Sequence, residues 1–85
     1  MPVVTGRAQS IRTFIVENFL FGQDNGLSDS QSFLDAGIID STGILELVVF
    51  LENTYRISVT DAELIPDNLD SIQKVSNYLQ TKLGS

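Results

Sequence analysis

The sequence predicts an all-α chain: a four-helix bundle with three longer helices, one short helix and a long loop between the first two. Three observations predict it. Apolar residues recur at helical spacing over Ile11 to Phe19, Ile44 to Tyr55 and Ile72 to Leu83. Residues that favour helix starts or ends (Ser10, Asp40, Ser41, Thr60, Asp70, Ser71, Gly84) stand at the edges of such stretches. The alternating run Ile57-Ser58-Val59 is too short for an independent strand and has no second run to pair with. At 85 residues the chain is expected to form a single domain over 1–85, because so short a chain builds one core.

In the run Ile11, Phe14, Ile15, Asn18, Phe19 the apolar side chains are spaced by three and four, which places a first helix near 8–20, with Ser10 able to cap it. Gly22-Gln23-Asp24-Asn25-Gly26 then supplies turn residues. The polar stretch 28–32 is flanked by Leu27, Phe33 and Leu34, too apolar to leave in water, so the long loop is expected to be pinned to the core. A second helix starts at Asp40 or Ser41 and runs to about Tyr55. Ile44, Leu47, Val48, Leu51 and Tyr55 form its core stripe, while Leu45 and Val49 lie one position round and widen the apolar arc beyond one contact face. Residues 57–59 read as an extended connection. Thr60 and Glu63 have capping-box spacing, giving a short third helix over 61–65 that Pro66 stops. Asp70 or Ser71 caps the last helix, with Ile72, Val75, Ser76, Leu79 and Leu83 on one stripe, Tyr78 beside it and Gly84 at its end.

The chain contains neither cysteine nor histidine. Disulfides, thiolate zinc sites and the usual imidazole base are therefore absent, and so small a domain rarely encloses the dry cleft that would tune carboxylate pairs for catalysis. The expectation is a non-enzyme. No apolar run approaches the ~20 residues that span a bilayer, and the first residues lack the apolar region of a secretory signal, so a cytoplasmic monomer without membrane insertion is expected. Net charge is −6 and unevenly placed: residues 35–70 hold eight acids against Arg56 alone. That field either keeps a small domain soluble or steers basic protein surfaces, and it disfavours nucleic acid. The aromatic residues Phe14, Phe19, Phe33, Phe50 and Tyr78 fall mostly at core spacing without basic companions, which also argues against nucleic-acid stacking. Asp24-Asn25-Gly26 and Asp29 lack the order of a calcium loop and read as turn chemistry, and no glycine-rich phosphate loop follows a strand.

The densest signal is Gly37-Ile38-Ile39-Asp40-Ser41, running into the apolar stretch 44–51. It sets a hydroxyl at the start of a helix, directly after an acid. Asp40 and Ser41 are both good N-caps, so a purely structural role is one reading. The other is that the serine is held out for something else to act on: an anionic group carried on Ser41 would sit by the first-turn N–H groups and positive dipole end, worth ~0.3–1 kcal/mol. Nothing beside the hydroxyl can activate it, so a separate protein would have to modify it.

Across Ser32 to Leu79, with Phe33-Leu34, Asp35-Ala36-Gly37, Asp40-Ser41, Glu46-Leu47, Leu51-Glu52 and Ile72, Val75 and Tyr78-Leu79, the chain resembles the acyl carrier proteins, the phosphopantetheine-dependent carrier family. The resemblance implies a freestanding carrier whose Ser41, flanked by Asp40, receives a 4′-phosphopantetheine arm from coenzyme A through a phosphopantetheinyl transferase. The arm would hold acyl or aminoacyl groups as thioesters, loaded by a ligase and passed to downstream acyl-transfer enzymes. Thr42, Leu45, Glu46, Val49 and Glu52 would then form the partner surface. Thr42 and Gly43 depart from the family pattern, in which Leu or Met follows the serine; this is either drift or a way to let a partner's backbone approach. The second helix also carries only Glu46 and Glu52 as acids. The Gly37 to Ser41 form resembles D-alanyl and standalone secondary-metabolism carriers more than the Gly-Ala-Asp-Ser form of fatty-acid synthesis, with fatty acyl, polyketide, amino acid and D-alanyl cargo all open. The alternative is an unmodified acidic helical adaptor that offers Leu45 and Val49 to one partner.

Overall fold

A computed structural model describes residues 6–23 and 26–84; Asp24 and Asn25 of the turn lie outside the described residues. Ile11 and Ile15 are fully buried one helical turn apart, and they anchor α1, Gly6–Phe19, to the core. α1 starts ahead of the expected position, so Ser10 lies inside the helix rather than at its cap. α2 spans Ser41–Tyr55 and ends at Arg56, which adopts a left-handed conformation with φ 58°. Leu47, Val48 and Leu51 are buried on its inner face. Across the α1–α2 contact the rings of Phe14 and Phe50 stack at 4.2 Å, and Phe14 meets Phe19 edge-on at 5.8 Å.

Residues 57–59, expected as a connection rather than a strand, have no regular structure, and the Glu52 carboxylate receives the Val59 N–H at 2.9 Å. Beyond it the structure corrects the sequence reading. Asp61–Glu63 forms a single 3₁₀ turn, and the short helix α3 is Pro66–Leu69, with Pro66 opening it rather than stopping one. Proline suits the first helical position because its missing N–H is unpaired there in any case and its φ is already helical. α4 is Ile72–Leu83, with Ile72, Val75, Tyr78 and Leu79 buried, and Gly84 closes it at φ 72°. It packs against both α1 and α3. Among the described residues all regular structure is helical: three longer helices and one short one.

The long loop between α1 and α2 is fastened at several points. Leu27 and Phe33 are buried, whereas Leu34, expected inside with them, is 43% exposed. Arg12 of α1 donates to the Leu27 carbonyl and pairs with Asp29, both at 2.6 Å, and the Gln73 N–H of α4 reaches the Asp29 carbonyl at 2.8 Å. Asp70 and Ser71, interchangeable as caps from sequence, divide the work. Ser71 caps α4 by accepting the Lys74 N–H at 3.0 Å. Asp70 is buried and turned to the loop, where its carboxylate accepts from the Ser32 hydroxyl and the Leu34 N–H while its carbonyl accepts from the Phe33 N–H. A buried carboxylate needs such donors, and here they come from the segment that leads to the Asp-Ser motif.

Candidate functional site

The start of α2 resolves which residue caps and which is presented. Asp40 is extended, with φ −97° and ψ −174°, and its carboxylate accepts the Gly43 N–H at 2.7 Å, which makes it the N-cap. Ser41 is therefore the first helical residue. It is exposed, and among the described residues no group hydrogen-bonds its hydroxyl. Ile39 anchors the approach: it is 2% exposed and fixes the chain immediately before the motif.

Gly43 answers a different need from either sequence reading. It is buried, and a Cβ there would lie 2.8 Å from Ile39 Cγ2 and 3.0 Å from Phe19 Cε1. The residue is small because α1 and the lead-in strap close over it, so the reading in which Gly43 makes way for a partner is corrected. Thr42 beside it is exposed.

Ser41 stands on the ridge between two depressions. On one side is an apolar groove of about 280 Å³, lined by Leu34, Ser41, Ile44, Leu45, Leu64, Ile65, Pro66, Leu69 and Asp70. On the other is an open, more polar cleft of about 400 Å³ that includes Asn18, Asp40, Thr42 and Glu46. Of the residues singled out from sequence, Leu45 thus shares the groove with Ser41, while Thr42 and Glu46 share the cleft with Asp40. Leu45 and Val49 are each 55% exposed, and Val49 lies further along α2, outside both depressions. Glu52 stands apart from this set: it is half-buried and bonded to the Val59 N–H, so its carboxylate holds the chain after α2.

Sequence reasoning missed the opposite wall of the groove. The sequence puts Leu64 and Ile65 at the end of a short helix stopped by Pro66 and Ile44 in the core, whereas all four line the groove and Ile44 is half-buried. The available signal was the apolar triplet Leu64-Ile65-Pro66 in a segment too short to bury it.

At the motif the arrangement is that of a helical scaffold presenting a hydroxyl beside an apolar groove. No protein-family model matches the chain. Curated relatives do: the D-alanyl carrier proteins of Streptococcus pyogenes serotype M5 (strain Manfredo) and serotype M1 are each 35% identical to it over 68 residues, covering 78% of this chain and 86% of theirs. The chain belongs to the carrier-protein family, the group of acyl carrier-like proteins.

Proposed function

We propose that this protein carries acyl or aminoacyl groups as thioesters on a 4′-phosphopantetheine arm attached to Ser41. The observation that carries the proposal is the division of labour at α2: Asp40 caps the helix, which leaves the Ser41 hydroxyl exposed and without a hydrogen bond among the described residues. The local chemistry fits a phosphodiester. Ser41 is at the positive end of a 15-residue helix, where first-turn N–H groups lack intrahelical acceptors. Attachment proceeds with Ser41 Oγ attacking the pantetheine-side phosphorus of coenzyme A. An O–P bond forms, the pyrophosphate P–O bond breaks, adenosine 3′,5′-bisphosphate leaves, and the hydroxyl proton goes to a base. With no histidine in the chain and Asp40 engaged in capping, that base belongs to a phosphopantetheinyl transferase. Once attached, the arm supplies a thiol that forms the thioester.

The relatives' name concerns D-alanyl groups, which makes D-alanyl the first cargo to test for this chain; the groove beside Ser41 admits a larger apolar acyl group as well. Leu45 and Val49, with Thr42 and Glu46, form the surface for the transferase, a loading ligase and downstream acyl-transfer enzymes. The test is incubation with coenzyme A and a broad-specificity transferase, read by intact mass and peptide mapping. One adduct on the peptide containing Ser41, lost in Ser41→Ala, is expected. An adduct that persists in Ser41→Ala, or none with several transferases, overturns the reading and returns the adaptor alternative.

A further inference from the structure

We propose that Glu63, Tyr78 and Lys82 form a latch that positions the wall of the groove beside Ser41, and thereby sets the environment of a group attached there; the second half of this statement rests on the carrier reading above. The wall is Leu64, Ile65, Pro66 and Leu69. It has little cohesion of its own, because it is built from a three-residue 3₁₀ turn and the four-residue α3, and only Leu69 within 61–69 is a buried apolar residue. Helical segments this short are not stable unless something outside them holds them in place. The wall packs on α4, while α2, which carries Ser41, stands across the groove.

The hold on α4 converges on Glu63. Its Oε1 accepts from the Thr60 N–H at 3.0 Å, the Tyr78 hydroxyl at 3.0 Å and the Lys82 ammonium at 3.1 Å, and Lys82 also reaches Oε2 at 3.3 Å. Its backbone carbonyl accepts from Asn68 Nδ2 at 3.0 Å, which ties the 3₁₀ turn to α3. One residue thus closes the turn and joins it to α3 through its backbone, and its carboxylate fastens both to the outer half of α4. The hydrogen bond from Thr60, followed by that from Lys82, lowers the Glu63 carboxyl to about 2, so it stays anionic at ordinary pH and the latch stays closed. Glutamine keeps the shape and can place its amide oxygen where Oε1 accepted from Thr60, Tyr78 and Lys82, but its N–H₂ then faces the Lys82 ammonium where Oε2 accepted at 3.3 Å, and the ion pair is lost.

The chain lacks cysteine, so Ser41→Cys supplies a unique thiol for a solvatochromic dye such as acrylodan, and the groove is read whether or not Ser41 accepts an arm. Backbone hydrogen exchange and dye emission are compared in the otherwise wild-type protein, in Glu63→Gln, and in Ile15→Val as a control that weakens the core in α1. In Glu63→Gln the hydrogen-bonded amides of Leu64, Ile65, Asn68 and Leu69 are expected to exchange about tenfold faster or more, with those of α1 and α2 unchanged and the dye emission red-shifted. Ile15→Val should speed exchange of the best-protected amides throughout and leave the emission where it was. Tyr78→Phe, which removes one of the donors, is read in the same way and decides the matter if Glu63→Gln does not fold. The proposal is overturned if 64–69 exchanges as in wild type, if exchange rises uniformly, or if the wall loosens without a change in emission. Failure of the carrier reading shows separately, as absence of the coenzyme A adduct on unlabelled protein.

Discussion

A Cβ at position 43 would approach Ile39 Cγ2 to 2.8 Å and the Phe19 ring to 3.0 Å, and both neighbours are themselves packed into the core region. Replacing Gly43 with alanine would gain up to ~1 kcal/mol in helix propensity. Forcing a methyl into filled space costs about 1–3 kcal/mol, and with contacts as short as 2.8 Å the steric term wins, so Gly43→Ala should destabilise by up to about 2 kcal/mol net. Urea unfolding checks this; a midpoint at or above that of wild type would mean that Ile39 and Phe19 yield. The acids show the same inward commitment. Asp40, Glu52, Glu63 and Asp70, four of the eight acids between 35 and 70, accept hydrogen bonds from backbone or side chains, whereas the exposed carboxylates of Asp35, Glu46, Asp61 and Asp67 accept none among the described residues. Half of these acids therefore hold the chain as well as carrying charge.

At the scale of the element, α2 divides its apolar residues between two tasks. Leu47 is fully buried, while Leu45 and Val49 are each 55% exposed on the same helix. Val49→Asp should stay within ~0.5 kcal/mol of wild-type stability yet slow loading or partner transfer, and Leu47→Ala should cost ~2–5 kcal/mol as a core cavity. Urea midpoints and loading rates measured together separate the two; Val49→Asp unfolding as badly as Leu47→Ala would place Val49 in the core. α2 and α4 were legible in sequence because cap and stripe agree in each, down to Asp40 and Ser71, and Gly84 marks the end of α4; α2 ends at Arg56, which carries no such signal. The start of α1 was less so, since its first turn precedes the apolar pattern. Pro66 misled because proline breaks a helix in its interior and begins one at its first position, and only the packing of α3 on α4 decides which applies. Ser41 could be singled out from its neighbours in sequence. The groove beside it could not, because Leu34, Ile44 and Ile65 come together only through tertiary packing.

Over the molecule as a whole, α4 is the hub to which the other segments are fastened: α1 and α3 pack on it, the long loop bonds to Gln73 and to Asp70 just before it, and Glu63 ties the groove wall to Tyr78 and Lys82. This makes stability depend on pH in two windows. The Glu63 carboxyl is lowered from 4.5 to about 2, first by the Thr60 N–H and then by Lys82, so its contribution is fully present above pH 4.5 and is lost as pH falls through about 2. The Tyr78 hydroxyl is raised from 10.0 to about 12, first by burial and then by its bond to Glu63, with the negative charge of Glu52 adding to it. Folding therefore favours the neutral phenol, and that contribution is present below pH 10.0 and lost as pH rises through about 12. Asp67 and Lys74 line the same cleft as Glu63, Tyr78 and Lys82, so the windows are best isolated by difference. Denaturant midpoints of wild type, Glu63→Gln and Tyr78→Phe should be compared from acid to alkaline pH. The advantage of wild type over Glu63→Gln should shrink on acidification below pH 4.5, and its advantage over Tyr78→Phe should shrink above pH 10.0. Gaps that stay constant through both windows would mean that neither group's ionisation is linked to folding, and that the contacts of Glu63 and Tyr78 act through packing alone.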